Sequence, residues 1–235
     1  MALSGVAFGK HSVFLGVMVE GMGGFARELP VWSPMHASIG PLPRPAAEAE
    51  YAYETWWNGA RVLIYLPGDG SMRLVNAVGL DITADYPDLT SPTGLFPPLQ
   101  AVLDGEIITP DPAGRPSVER LQQRMSLHHP RAVAKAASEF PARLVICDVL
   151  YVWQPVLHHP YTARRALLDD LPLSSDRVTV PAAWPAMARE AFRQARVEGF
   201  DGITAKRLTS TYLPGRRTRD WITIKNTTTK DDGAR

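Results

Sequence analysis

The sequence predicts an α+β fold with largely antiparallel sheets and flanking helices. Three observations lead to this prediction. Segments with strand character outnumber segments with helical periodicity, most connections are short and rich in turn residues, and strands and helices do not alternate regularly. The chain also contains neither a Walker phosphate-binding loop nor a Gly-x-Gly-x-x-Gly fingerprint, so the common parallel-sheet nucleotide folds are excluded.

The composition narrows the class of protein. The 235 residues are 45% apolar and 21% charged, which is enough for one sizeable core or two small ones. The net charge of +1 provides no global field toward nucleic acid or membrane, so any polyanion site has to be a local patch. A single cysteine excludes an intramolecular disulfide and suits a reducing compartment, so we expect a cytoplasmic location.

Both ends of the chain are expected to lie outside the core. Residues 1–30 contain an apolar stretch that lacks a basic flank and is too short to cross a membrane, so we expect a disordered leader or a mis-assigned start. The proline-rich stretch 30–45 is expected to be a linker or surface arm. Residues 227–235 form a polar tail, which leaves 31–226 as the folded domain.

The first elements read as a sheet built from hairpins. Apolar, β-prone runs predict strands at 51–57 and 61–66. The Pro-Gly-Asp-Gly sequence at 67–70 predicts a tight turn, and 71–76 returns from it as a strand.

A third strand region spans 99–108, and we expect Asp104-Gly105 to break it. Ser117 is placed to cap the amino end of a helix over 118–125, because its side chain can accept from a free backbone N–H. A second helix is predicted over 130–140.

The second half alternates buried and amphipathic segments. The continuous apolar, β-branched run at 143–153 predicts a buried strand. Thr162 is predicted to cap a helix over 163–171. The remaining predicted elements are an amphipathic helix at 185–198 and strands at 201–207 and 220–225.

Four separated segments bear residues suited to chemistry. They are ETWWNGAR (54–61), LDGEII (103–108), EGFDGITAKR (198–207) and DWITIK (220–225). In this order and spacing, the chain resembles the adenylation domain of ATP-dependent DNA ligases, especially the bacterial end-joining type. The resemblance covers about 31–226 and implies a ligase-type nucleotidyltransferase fold of two sheets, with a role in DNA repair and recombination through nick or end joining.

The chemistry of that family explains its residue types. A lysine amine attacks the ATP α-phosphate, AMP then passes to a 5′-phosphate at a nick, and the 3′-hydroxyl displaces AMP. Such transfer needs a nucleophile, a divalent cation and positive groups at the phosphate oxygens. The resemblance therefore implies ATP, with Mg²⁺ or Mn²⁺, as cofactors.

The nucleophile motif of the family, Glu-x-Lys-x-Asp-Gly-x-Arg, is altered here. Glu54, Gly59 and Arg61 match it, but Trp56 stands at the lysine position and Asn58 at the aspartate position. An indole has no usable lone pair and cannot form a phosphoramidate, so we expect that the chain cannot adenylate itself. A literal Lys-x-Asp-Gly match begins at Lys230 in the polar tail, and we do not expect it to replace the nucleophile.

Other family positions also differ. Ala77 replaces an arginine, Cys147 replaces a stacking aromatic, and Thr223 replaces the first of two phosphate-binding lysines. Asp201 stands where a metal-binding glutamate is expected, and it is the candidate metal ligand. The retained candidates for nucleotide binding are Glu54 (adenine edge), Arg61, Glu106 (ribose hydroxyl), Lys206 and Lys225.

Arg216, Arg217 and Arg219 are expected in one loop. They either contact DNA phosphate, as the resemblance implies, or form a solvated charged loop.

Three functions stay open. The first is a pseudo-ligase that binds nucleotide or DNA, or serves as an interaction module for repair partners. The second is an active or partly active ligase, which could act only on pre-adenylated nicks, and the third is a foldable product with no biochemical role. A relative of RNA ligases or mRNA-capping enzymes, which share the core motifs, is a weaker fourth option. We expect nicked or broken duplex DNA as a partner, and a separate OB-fold, primase-polymerase or end-binding protein. No OB-fold domain is expected within this chain.

Overall fold

The computed structural model describes residues 28–90, 96, 98–173 and 175–226. Most of the leader, the whole polar tail and Lys230 therefore lie outside the described residues. The strands are β1 (His36–Ile39), β2 (Tyr51–Thr55), β3 (Ala60–Pro67), β4 (Arg73–Asn76), β5 (Gln100–Ile108), β6 (Arg143–Val152), β7 (Gln154–Pro155), β8 (Val178–Thr179), β9 (Ala183–Pro185), β10 (Gly202–Arg207) and β11 (Arg217–Lys225). The helices are α1 (Val118–Met125), α2 (Pro130–Glu139), α3 (Tyr161–Asp170) and α4 (Ala188–Val197), with short 3₁₀ helices at Pro45–Glu50 and Thr83–Asp85.

Two sheets organise the described part of the chain. The first sheet has the strand order β1-β11-β10-β2-β9, and the second has the order β4-β3-β5-β6-β7, with β8 paired to β6. The β1–β11 and β6–β8 pairs are parallel and the other pairs are antiparallel. The predicted α+β class with largely antiparallel sheets is confirmed.

The apolar patterning of β3 explains how the sheets stack. Val62 and Ile64 face the core under α1 and α3, whereas Leu63 and Tyr65 face the core between the two sheets. Because both faces of β3 are buried, its sequence is a continuous apolar run rather than an alternating one. A third, smaller core lies between the first sheet and α4.

Of the two helix caps predicted from the sequence, one is present in the structure. Ser117 Oγ accepts a hydrogen bond from Arg120 N, as predicted. The prediction for Thr162 is wrong: α3 begins at Tyr161, and Pro160 precedes it without a side-chain cap. Proline suits the start of a helix because it has no N–H to satisfy.

Two predicted segments are corrected. The stretch 30–45 is no mere linker, because His36–Ile39 forms β1 and the preceding Met35 is fully buried. The 185–198 helix begins only at Ala188, since Ala183–Pro185 pairs with β2 as strand β9.

The expected break at Asp104-Gly105 does not occur, and β5 is continuous. The register shifts at that step instead, and a Cβ on Gly105 would lie 2.4 Å from Val145 O. Glycine is needed there for close strand pairing. In the part of the chain that the structure describes, no helix is long and apolar enough to cross a membrane.

Candidate nucleotide cleft

The loop between β2 and β3 carries the altered nucleophile motif. Trp56 N donates to Gly202 O at 3.0 Å, and Gly59 N donates to Glu106 Oε2 at 2.9 Å. A Cβ on Gly59 would lie 2.7 Å from Ile107 O, so the loop can pack on β5 only with glycine at this position. These contacts fix the loop against β10 on one side and β5 on the other.

The two neighbouring tryptophans have different surroundings. Trp57 meets Phe200 edge-on, with ring centroids 4.7 Å apart, and packs on the small buried cluster that contains Cys147. Trp57 is only partly buried, so it borders the interior rather than lying inside it. Trp56 is only half-buried, and Lys225 Nζ lies 5.7 Å from its ring centroid, within the range of a cation–π contact.

A cleft of about 210 Å³ opens between the two sheets, with Trp56 in its wall. It brings together predicted site residues from strands that are far apart in sequence. The lining residues are Met35, His36, Ala37, Ile39, Glu54, Thr55, Trp56, Trp57, Arg61, Glu106, Cys147, Thr204, Lys206, Arg217, Trp221 and Thr223. Lys225 lies at its edge, beside Trp56.

Lys206 is engaged by groups of the protein itself. It is 2% exposed, and its Nζ lies 2.8 Å from Glu54 Oε2 and donates to Cys147 O at 2.7 Å. The same ammonium lies 4.5 Å from the Trp221 ring centroid. A lysine ammonium has three N–H donors, so two of them are already used by internal acceptors.

Glu54 has further partners that the sequence motifs did not reveal. Tyr161 OH donates to Glu54 Oε1, and Arg165 Nη1 lies 3.6 Å from the same oxygen. Both partners come from the first turns of α3, which packs against β6 of the second sheet. Burial, with the Glu54 charge as the next cause, holds the pKa of Tyr161 well above its ordinary value, so its hydroxyl stays a donor.

Arg61 is held in a similar way. Its Nε and Nη2 donate to the two Asp104 oxygens at 2.6 and 2.5 Å, and Tyr212 OH donates to Asp104 Oδ2 at 2.7 Å. Asp104 is fully buried, so this bidentate pair is a fixed part of the interior. Arg61 Nη1 lies 3.8 Å from Glu106 Oε1. Burial raises the pKa of Glu106, and the Arg61 charge opposes that rise.

Asp201, the candidate metal ligand, accepts a hydrogen bond from Asn58, which stands at the altered aspartate position of the motif. Asn58 adopts a left-handed conformation with φ of 53°, and its Nδ2 donates to Asp201 Oδ2 at 2.9 Å. An aspartate at position 58 would place a second carboxylate there, an arrangement that a cation stabilises, whereas the amide satisfies Asp201 without one. Among the described residues, no group of three His, Cys, Asp or Glu side chains could hold a metal ion.

The three arginines do not share one loop, which corrects that prediction. Arg217 is the first residue of β11 and pairs in register with His36, and its Nη1 donates to Ala37 O. Arg216 precedes the strand and Arg219 lies within it, and all three are exposed. Only Arg217 of the three lines the cleft.

Comparisons with known proteins place this geometry in a family. The profile of the family described as "ATP dependent DNA ligase domain" matches residues 35–225. This chain belongs to that ligase family. Its resemblance to the adenylation domain of bacterial end-joining ligases is confirmed.

The relatives include bacterial end-joining proteins. The ligase domain is 32% identical over 200 residues to the "Multifunctional non-homologous end joining DNA repair protein LigD" of Mycobacterium tuberculosis, covering 85% of this chain and 24% of that protein. It is 31% identical over 201 residues to DNA ligase C1 of Mycolicibacterium smegmatis, covering 81% of this chain and 56% of that protein. The chain thus spans about a quarter of the LigD relatives.

Two solved ligase structures agree with the family assignment. The ligase domain matches "mycobacterial DNA ligase D complexed with ATP and MES" with a TM-score of 0.68 and 31% identity, covering 83% of this chain and 60% of that one. The ligase domain of M. tuberculosis LigD gives the same score and identity, covering 83% of this chain and 59% of that one. The expected ligase-type adenylation fold is therefore confirmed.

Proposed function

We propose that this chain is a non-catalytic ligase adenylation domain, which binds nucleotide or DNA without forming a lysyl-AMP bond. The observation that carries the proposal is Trp56, which stands at the nucleophile position and lines the cleft. The described part of the chain has three lysines, Lys135, Lys206 and Lys225. Lys135 is on α2, Lys206 is ion-paired to Glu54, and Lys225 contacts the Trp56 ring, so none of them is an unengaged amine in the cleft.

The cleft residues suit a nucleoside better than a triphosphate. Glu106 offers a carboxylate oxygen of the kind that a ribose hydroxyl needs, and it lines the cleft. Two cations that would meet phosphate oxygens are already paired, Arg61 with Asp104 and Lys206 with Glu54. A triphosphate would have to compete with two buried carboxylates, so we expect ATP to bind weakly, through its nucleoside part. Mg²⁺ or Mn²⁺ would then depend mainly on the nucleotide for its ligands, with Asp201 as the proposed protein ligand.

The role we propose is an accessory one in end-joining DNA repair. Relatives named as end-joining proteins support it, and the exposed Arg216, Arg217 and Arg219 are suited to phosphate contacts. Nicked or broken duplex DNA is the proposed ligand. A separate OB-fold, a primase-polymerase or an end-binding protein is the proposed partner, in the cytoplasm.

Intact-mass spectrometry after incubation with ATP and Mn²⁺ tests the loss of self-adenylation. We expect no added mass. A gain of one AMP would overturn the proposal, and peptide mapping would then locate the nucleophile at Lys206, Lys225 or Lys230. Calorimetric titration of ATP in the same buffer is expected to give weak, non-covalent binding that Glu106→Gln reduces.

A second candidate function is the sealing of nicks that are already adenylated. The last step of ligation needs no attacking lysine. Glu106 and Lys206 are retained in the cleft and Lys225 at its edge, and Asp201 keeps a carboxylate at the expected metal position. Incubation with pre-adenylated nicked duplex and Mg²⁺ or Mn²⁺ decides this point, because absence of any sealed product would eliminate the candidate.

A further inference from the structure

A second groove lies on the face of the first sheet that is turned away from the cleft. On β2 and β11, Glu54 and Thr223 line the cleft, whereas their neighbours Tyr53 and Ile224 line the groove, as strand alternation requires. Its volume is about 730 Å³. Its lining includes Glu48, Tyr53, Arg189, Phe192, Arg196 and Asn226.

One wall of the groove is a row of arginines on α4. Arg189, Arg193 and Arg196 are spaced by four and three residues, so they share one face of the helix. Arg193 is bonded to Glu190, whereas Arg189 and Arg196 are exposed and make no ion pair with any described residue. The rise of an α-helix puts about 10 Å along the helix axis between the Cα atoms of Arg189 and Arg196.

Few acidic side chains offset the positive charge of the groove. Among the described residues that line the groove, Glu48 is the only acid, and its Oε1 already accepts from Ala188 N at 3.0 Å. Lys225 adds a further cation at the end of the groove. The groove is therefore cationic although the chain as a whole is nearly neutral.

Two buried polar atoms in groove residues lack partners. Tyr53 is fully buried, and neither its hydroxyl nor Asn226 Oδ1 has a hydrogen-bond partner among the described residues. A buried polar group without a partner costs about 1–3 kcal/mol, so both atoms favour a ligand that can satisfy them. Burial, with Glu48 as a further cause, raises the pKa of Tyr53 to about 12, so it is a neutral donor at physiological pH. Phe192 also lines the groove, where it is half-buried and packs against the third core.

We propose that this groove binds single-stranded DNA, with one base on Phe192 and the flanking phosphates on Arg189 and Arg196. A base edge can accept from Tyr53 OH and donate to Asn226 Oδ1, which an acidic peptide side chain cannot do at once. Positive grooves that combine guanidinium groups with a stacking aromatic are typical of single-strand binding. The inference rests on the proposed DNA role, and it assigns the unpaired strand at a broken end to the back of the first sheet.

Fluorescence anisotropy of a labelled ten-nucleotide oligothymidylate, titrated with the full chain, tests the proposal. Arg189→Gln with Arg196→Gln is expected to weaken binding about tenfold or more, and to lower the slope of log K against log salt by about 1.4. Phe192→Leu is expected to weaken binding about fivefold, because stacking on a base is lost. The matched control is Arg131→Gln with Arg143→Gln, which removes two exposed arginines elsewhere and is expected to change affinity less than about twofold.

Several results would overturn the groove assignment. They are an equal loss in the control pair, no loss in the Arg189/Arg196 pair, thymidine monophosphate binding as tightly as the oligonucleotide, or preference for an Asp/Glu-rich peptide. Calorimetry with ATP on the same proteins separates the two proposals. If the oligonucleotide binds in the groove while ATP does not bind at all, the groove stands and nucleotide binding in the cleft fails. If ATP binds but the oligonucleotide does not, nucleotide binding in the cleft stands and the groove assignment fails.

Discussion

The buried ion pair between Glu54 and Lys206 leads to an asymmetric prediction. Removing one partner of such a pair leaves the other charge uncompensated, which costs about 3–5 kcal/mol. In Glu54→Gln, the Lys206 ammonium keeps Cys147 O and two aromatic rings but has no carboxylate at ion-pair distance. We expect the full penalty of about 3–5 kcal/mol in the free energy of unfolding.

The reverse substitution is expected to cost less. In Lys206→Met, the Glu54 carboxylate keeps the Tyr161 hydroxyl and the Arg165 guanidinium at 3.6 Å. The main losses are one charged hydrogen bond and the partner of Cys147 O, about 1–3 kcal/mol together. Glu54→Gln should therefore be the more damaging change.

Urea unfolding at neutral pH measures both costs. In thermal unfolding of a domain of this size, the same penalty for Glu54→Gln corresponds to a Tm lower by about 6–20 °C. The double variant is expected to fall short of the sum of the single effects by about 1 kcal/mol or more, because it removes both charges together. If Lys206→Met costs as much as Glu54→Gln or more, the assignment of Arg165 and Tyr161 as substitute partners of Glu54 is wrong.

Three further predictions concern single positions. Burial raises the pKa of Glu106, so the native state holds this proton to a higher pH than the unfolded chain does, and wild-type stability falls as pH rises above the ordinary carboxyl pKa. Glu106→Gln removes this titration and should therefore gain stability relative to wild type from pH 4 to 7. A stability difference that stays constant over this range would contradict the prediction. Gly59→Ala should lower the free energy of unfolding by about 1–3 kcal/mol, because the added Cβ overpacks against Ile107 O. The control is Gly70→Ala, where φ is 85° and the space around the residue is open, so only backbone strain of about 1 kcal/mol is expected. Similar losses for the two variants in chemical denaturation would refute the packing argument. Ser117→Ala should cost about 1 kcal/mol through the lost helix cap, and an unchanged Tm would show that the cap contributes nothing.

The sequence predicted elements whose causes are local. Ser117 caps a helix that begins at the next residue, and the glycines at 68 and 70 adopt the positive φ that the β3–β4 turn needs. It failed where the partner is distant in sequence. The stretch 30–45 read as a linker because prolines dominate it, yet β1 forms there by pairing with β11, about 180 residues later.

The sequence likewise predicted only part of the candidate site. The motifs indicated which residues meet in the cleft, and Glu54, Glu106 and Lys206 do meet there. They could not indicate how those residues are paired. Tyr161 and Arg165 reach Glu54 only because α3 is brought across the sheets, and no spacing near position 54 reports that packing.

The parallel pairing of β1 with β11 has a mechanical consequence. His36 is paired with Arg217, and Ile39 with Thr223, so the first and last strands among the described residues run side by side in the same direction. Tension applied to the chain before β1 and after β11 pulls the two strands past each other. The hydrogen bonds between them are then loaded together in shear, rather than peeled apart one after another. If this domain is linked to others, as in its multifunctional relatives, this strand pair is the first part of the fold to bear a load transmitted along the chain.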